Sequence, residues 1–285
     1  MIKLQTPVNF DASIVRVGLN DKVIVVGSCF ADEVGTRMAN AGFDVCVNPF
    51  GTLYNPVSIL NSLKRLDENR RFTEADCVEM GAGAGLVCSF SHHTSFARKS
   101  AADFLLHANE ALEKASAFWN SCDKVIISLG TVYCFHSKTN GGVVSNCLKR
   151  PAAEFERKAL TLEETVSALR SIIGLCKGKE VIFTVSPIRH LADGAHGNQL
   201  SKSTLHLAVN SVVGKGVEYF PAYEILLDEL RDYRFYAEDM VHPSALAAEY
   251  IWQRFKEFAV PENEIGKVAA NEKAFRSSCH RPIHL

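Results

Sequence analysis

Two alternating rhythms of apolar positions run along this chain. Lys22 to Val26 (KVIVV), Lys124 to Leu129 (KVIISL) and Glu180 to Val185 (EVIFTV) are continuous, β-branched runs of strand length. Phe43 to Val47 and Val217 to Phe220 are shorter runs of the same kind. Between them lie stretches of helical period. Asp32 to Ala41 is ended by Gly42, Pro56 to Leu66 carries Pro in its first turn, and Ser100 with Asp103 opens a long stretch from Ala101 to Trp119. Thr161 and Glu164 form a capping box ahead of apolar positions at Val166, Leu169, Ile172, Ile173 and Cys176. Asn198 to Val213 and Ser244 to Phe258 complete the helices.

Strands alternating with helices of this length need βαβ crossovers, and hence a mostly parallel sheet covered on both faces. The pattern predicts a doubly wound, three-layer α/β/α sandwich on a five-stranded sheet, flavodoxin-like in plan, in one domain over residues 1–260. Two segments break the alternation, at about 70–99 and 133–158. The second contains Thr139-Asn140-Gly141-Gly142, and Asn-Gly between β-capable residues predicts a hairpin. Both are expected as insertions folded over the ligand-binding edge. Residues 261–285 are polar and weakly periodic, so they are expected as an arm on the surface or on a neighbouring subunit of a homo-oligomer.

Composition narrows the function classes. Of 285 residues 47% are hydrophobic and 22% charged, which excludes a disordered or coiled-coil chain. The formal charge of −1 gives no global field to attract phosphate backbones or anionic membranes, so neither nucleic acid nor a membrane is an expected partner. No apolar run approaches the roughly 18 residues of a membrane span. The opening residues, MIKLQTPVNFDASIV, lack the apolar core of a signal peptide, and a cytoplasmic location is expected. Nine cysteines without a CxxC pair fit a reducing compartment, with Cys46, Cys77, Cys88, Cys122 and Cys176 as small buried hydrophobes.

In an open α/β sheet, ligands bind beyond the carboxyl ends of the strands. Those ends carry Gly27-Ser28-Cys29, Gly130-Thr131 and Ser186-Pro187-Ile188-Arg189-His190, and Asp239-Met240-Val241-His242 precedes the last helix. Cys29 falls where a strand turns into a helix, and the free amides there stabilise a thiolate and a developing oxyanion. Asp239 and His242, three apart, let a carboxylate orient an imidazole whose other nitrogen faces a nucleophile. Arg189 is a candidate clamp for a carboxylate or phosphate, the alternative being a pair with Glu224 or Asp228, and His190 is a candidate second acid/base or substrate-binding group. Cys88, His92 and His93, or Cys134 and His136, make no four-ligand zinc set, and residues 82–85 lack the flanks of a phosphate loop. No metal or cofactor is expected.

The run Gly27-Ser28-Cys29-Phe30-Ala31 identifies the chain as resembling the GSCFA family, a bacterial family similar to the SGNH (GDSL-like) hydrolases. Asn48 to Pro56 (NPFGTLYNP), Leu129 to Thr131, Ser145 to Pro151 (SNCLKRP), Ser186 to His190 and Tyr219 to Ser244 extend the likeness over most of the chain. The resemblance implies an esterase or acyltransferase with Cys29 at the nucleophile position, His242 as base and Asp239 as its orienter. Ser28 is the alternative nucleophile. It also implies an oxyanion hole of the Cys29 and Gly51 amides. The third-block Asn of the SGNH pattern is absent, Gly130-Thr131-Val132-Tyr133 standing in its place, so Thr131, Asn48 and Asn55 are the candidate replacements. Asn48, Arg189 and His190 are the expected substrate-binding residues. A thiol nucleophile favours thioesters and acyl transfer, with acyl-CoA or another acyl donor as substrate rather than cofactor. The expected substrate is a small-molecule or carbohydrate ester carrying anionic or oxygenated groups. A non-catalytic binding protein on a degenerate hydrolase scaffold is the second reading.

Overall fold

The structure is a computed structural model and describes residues 5–83 and 85–279. Its centre is a parallel sheet of β1 (Lys22–Gly27), β2 (Asp44–Val47), β5 (Lys124–Leu129), β9 (Glu180–Val185) and β10 (Val217–Phe220), in the order β10-β9-β5-β1-β2. Taken in chain order, that is the 2-1-3-4-5 arrangement of flavodoxin-like folds. The fold is a three-layer α/β sandwich.

Alternation along each strand sends side chains to two cores. Ile24, Val26, Ile127 and Phe183 meet α2 (Pro56–Glu68), α3 (Ala101–Ser121), α4 (Leu162–Leu175) and α5 (Gly194–Asn210) through Ile59, Leu112, Leu169 and Leu205. Val23, Val25, Ile126 and Ile182 meet α1 (Cys29–Asn40), α7 (Ala245–Ala259) and α8 (Ile265–Cys279) on the opposite face. A short α6 (Ala222–Glu224) runs into a π-helical turn, Ile225–Leu230, after β10. Strands buried on both sides explain why β1, β5 and β9 read as continuous apolar runs.

Local chemistry sets the helix boundaries. Ser28 caps α1 by accepting the Phe30 N–H at 3.2 Å, so the helix starts three residues before its apolar period becomes visible. Asn55 caps α2, Ser100 caps α3, the Thr161–Glu164 box caps α4 and Ser244 caps α7. Residues 265–279 form a helix despite their weak periodicity, because one buried side chain, Val268, and polar ties hold it. Glu272 accepts from Trp252 Nε1 at 2.6 Å and from Lys256 Nζ at 2.9 Å, and Asn271 donates to the Ala41 carbonyl. Residues 280–285, the rest of the expected arm, lie outside the described residues.

The two insertions differ from expectation in one respect. Residues 133–158 supply a three-stranded antiparallel sheet of β6 (Tyr133–Ser137), β7 (Val143–Val144) and β8 (Phe155–Ala159), with the Asn140-Gly141 hairpin between the first two. None of the described residues of 70–99 lines the cleft at the carboxyl ends of the strands. Beyond the short pair β3 (Val78–Glu79) and β4 (Val87–Cys88), their apolar face is drawn into a cluster of Phe50, Phe72, Phe96 and Phe104 around His92.

The tightest approach lies at the end of β1. Gly27 has φ +133°, and a Cβ there would collide with the Ser128 carbonyl of β5. Gly27→Ala is therefore expected to destabilise the fold by at least about 2 kcal/mol. The shift in denaturant midpoint measures it, and an unchanged midpoint would show that β1 and β5 can separate.

Candidate active site

The end of β1 is built by hydrogen bonds that leave Cys29 as the group facing outward. Ser28 N–H donates to the Ser128 carbonyl at 3.0 Å, and the two serine hydroxyls lie 2.9 Å apart. Ser28 is 1% exposed with its hydroxyl committed to Ser128 and the cap, which removes it as the alternative nucleophile. Cys29 follows at the first helical position, where its N–H has no intrahelical acceptor. It is half-buried and lines a cleft of about 850 Å³ at the carboxyl ends of the strands.

The segment 48–55 braces this turn, and the bracing overturns two expectations. Asn48 Oδ1 accepts the Gly27 N–H at 2.8 Å while its Nδ2 donates to Asp32 at 2.7 Å. Both ends of Asn48 are thus used inside the protein, and it is not a substrate ligand. The Gly51 N–H donates to the Asn48 carbonyl at 2.7 Å, closing a tight turn over Pro49 and Phe50, so it is unavailable to an oxyanion. Asn55 does reach the cleft. Its Oδ1 accepts the Ser58 N–H at 2.8 Å as the α2 cap, which leaves Nδ2 for the cavity. Thr131 also lines the cleft, but its hydroxyl lies 3.1 Å from Ser201 Oγ and accepts the Tyr133 N–H at 3.1 Å. Of the three expected stand-ins for the absent Asn, Asn55 is the one that lines the cleft with its Nδ2 uncommitted.

Tyr54 is a site residue that the sequence reading missed. Its hydroxyl lies 3.5 Å from Cys29 Sγ and 3.1 Å from Thr52 Oγ1, and its carbonyl accepts both the Gly130 and the Thr131 N–H. Burial pushes the Tyr54 phenol up to about 12, so it stays protonated and can donate to the sulfur. Its place beside Asn55 in the NPFGTLYNP block was the available signal.

On the facing wall, His242 Nδ1 lies 2.6 Å from Asp239 Oδ2. The other carboxylate oxygen accepts the backbone N–H of Val241 at 2.9 Å and of His242 at 3.0 Å. Those bonds hold the Asp239 carboxyl down at about 2, so at neutral pH it is an acceptor that keeps the proton on Nδ1 and leaves Nε2 free. His242 lines the same cleft as Cys29. Met240, at φ +56°, makes the turn that brings the pair together.

Arg189 pairs with neither Glu224 nor Asp228. It donates to the Met240 carbonyl at 3.2 Å, its N–H bonds the Val241 carbonyl, and its guanidinium lies over Tyr236 at 5.2 Å and Tyr233 at 5.8 Å. Arg189 thus braces the loop that carries Asp239 and His242, and it also lines the cleft. His190 lines the cleft, but its Nε2 is buried without a partner, and burial, aided by Lys202, pushes it down to about 4. It is a neutral imidazole at neutral pH. Beneath it Lys202, fully buried, donates to the Gly130 carbonyl at 2.7 Å and the Ser186 carbonyl at 2.8 Å, tying the ends of β5 and β9. Burial pushes Lys202 down to about 7.

The remaining wall is the β6–β7–β8 sheet, with Tyr133, Phe135, Val144 and Arg157 toward the cavity. Arg157 lies 3.7 Å over the Tyr133 ring and forms an ion pair with Asp193 of the opposite wall. The cleft lining is thus more apolar than the sequence suggested. Among the described residues no three His, Cys, Asp or Glu side chains gather as a metal site, and no helix is long and apolar enough to cross a membrane.

The GSCFA family model matches residues 22–255. The chain belongs to the GSCFA family. The match spans the GSCFA turn itself, the bracing segment 48–55, the β6–β7–β8 insertion and the Asp239–His242 loop. No curated protein matches this GSCFA chain. Among solved structures it is similar to a protein from Streptococcus pneumonia provisionally described as a platelet activating factor, at 12% identity and TM-score 0.42, covering 86% of this chain and 85% of that one. It is also similar to a family 3 carbohydrate esterase from Clostridium thermocellum, at 10% identity and TM-score 0.39, covering 88% and 98%.

The buried imidazoles fix an acid limit on stability. Burial pushes His92 down to about 3, as it pushes His190 down to about 4, whereas in the unfolded chain both protonate at about 6.5. Below that pH the unfolded chain binds more protons. Their contribution is therefore complete above about pH 6.5 and is lost as pH falls toward 4 for His190 and 3 for His92. Urea midpoints measured from pH 7 to pH 4 are expected to fall, and less steeply in His190→Gln. Parallel curves for the two proteins would contradict a neutral His190.

Proposed function

We propose that this chain is an acyl-ester hydrolase or acyltransferase that works through a covalent acyl-thioester on Cys29. The observation that carries the reading is that an outward thiol at a helix start and an imidazole backed by a carboxylate open onto one cleft at the strand ends.

In this scheme His242 Nε2 takes the thiol proton and the sulfur attacks the acyl carbon. The carbonyl oxygen becomes an oxyanion facing the Cys29 N–H and Asn55 Nδ2, with Tyr54 donating to the reacting centre. Collapse breaks the ester or thioester bond, and the leaving oxygen or sulfur takes the proton from His242. Water or an acceptor hydroxyl then gives its proton to His242 and attacks the thioester. Expulsion of Cys29, reprotonated by His242, releases acid or the transferred ester. The proposed substrate is a polar ester or thioester, a carbohydrate ester or acyl-CoA among the candidates, whose leaving part lies over Ser145 and Asn146 on the cleft wall.

Cys29→Ala should abolish acyl release from an ester and thioester panel while the fold is kept, and His242→Ala should slow it by about 100-fold or more. Mass-spectrometric mapping of alkylation by iodoacetamide supplies the binding-protein control. Cys29 should label fastest among the half-buried and buried thiols, and His242→Ala should slow that labelling. Labelling indifferent to His242, together with no turnover on the panel, would overturn the catalytic reading.

Tyr54→Phe removes one donor from a reacting charge and should lower kcat by roughly 10- to 100-fold with little change in KM. An unchanged kcat would make the Tyr54 hydroxyl structural.

A further inference from the structure

The geometry points to the cleft-facing side of the β6–β7–β8 sheet as an acyl-chain subsite, and to a medium-length aliphatic acyl group as the substrate's transferred part. The inference rests on Cys29 being the acyl-accepting thiol, and it adds the identity of the acyl group.

Strand register places the residues. Phe135 of β6 stands directly opposite Val144 of β7 on one side and Arg157 of β8 on the other, so the three share one face, with Tyr133 two residues back. All four line the cavity that Cys29 lines. Phe135 is 38% exposed in the middle of its strand, and Leu191 on the facing wall is 46% exposed. Large apolar side chains left open on both sides of a cleft next to a nucleophile mark surface that a ligand covers.

The one cation on this face does not argue for an anionic acyl group. Arg157 lies flat on Tyr133 at 3.7 Å and is neutralised by Asp193, whose own side chain is 4% exposed. What it offers to a ligand is a stacked, charge-compensated plane. The face also leads away from the thiol. The Tyr54 hydroxyl touches Cys29 Sγ, the Tyr54 carbonyl accepts the Thr131 N–H, and Thr131 Oγ1 accepts the Tyr133 N–H. From there β6 advances about 7 Å to Phe135. An acetyl group on Cys29 would leave Phe135 and Leu191 uncovered, whereas a longer chain would reach them.

Acetyl, butyryl, octanoyl and dodecanoyl thioesters of one thiol test this on the full chain. Each methylene that becomes buried is worth about fourfold, so octanoyl should exceed acetyl in kcat/KM by at least about 100-fold, with no further gain at dodecanoyl. Phe135→Ser and Leu191→Ser change partly exposed side chains, and circular dichroism checks their fold. Each should lower the octanoyl-to-acetyl ratio at least about tenfold. A separate arm reads binding without chemistry, by calorimetry of octanamide and acetamide on Cys29→Ala. Octanamide should bind, and Phe135→Ser should remove that binding. If octanamide binds in this way but no thioester is turned over, the subsite stands and Cys29 loses its role. Turnover with a flat or acetyl-favouring profile and no octanamide binding would overturn the subsite while leaving the thiol reading intact.

Discussion

The constraint from which the site follows is the contact of β1 with β5 at Gly27 and Ser128. Only a residue without a Cβ lets the two backbones come together there. The Ser28 amide then bonds the Ser128 carbonyl and the two hydroxyls pair. With Ser28 held inward as a cap, the next residue must be the first of a helix and must face the cavity. Cys29 owes its position to that sequence of steps. The bracket from Asn48 to Asn55 extends the same logic, since it binds Gly27 at one end and the Gly130–Thr131 amides at the other. The residues nearest the thiol are therefore held to two adjacent strand ends.

Much of this was legible from the residues because it depends on local chemistry. The apolar runs of β1, β5 and β9 are continuous since both their faces are covered, and Ser28, Asn55, Ser100, Thr161 and Ser244 are caps written in single side chains. Cys29 and the Asp239–His242 pair were legible for a similar reason, the turn and the spacing being short-range. Gly51 and Asn48 were misplaced because which acceptor an amide finds is decided by folding of the whole segment. Arg189 reads from the sequence as an anion clamp alone, since a sequence cannot show that its guanidinium also braces the Met240 carbonyl beside two tyrosine rings.

Lys202 shows a different limit. On α5 it stands beside Ser201 and ahead of Leu205, within the buried stripe, where a lysine reads as a solvated position. Its place is intelligible only when the ends of β5 and β9 are seen to present carbonyls that no strand neighbour takes. Tyr54 and Arg157 belong with it. Their contacts cross between segments far apart in the chain, and neither periodicity nor motif spacing carries that information.

Among the described residues the small β6–β7–β8 sheet shares no ladder with the central sheet. It joins the body through the Leu160 to Val132 and Ser145 to Phe90 hydrogen bonds, the Arg157–Asp193 pair and its buried side, where Cys134 and Phe155 lie. The surface that would select a ligand and the framework that holds the thiol are therefore built on separate hydrogen-bond ladders. Side chains on the open face can be exchanged, or the Asn140-Gly141 turn lengthened, without disturbing a single bond of the five-stranded core. In such an architecture, selectivity can diversify at little risk to stability, with Cys29, Asp239 and His242 staying where they are.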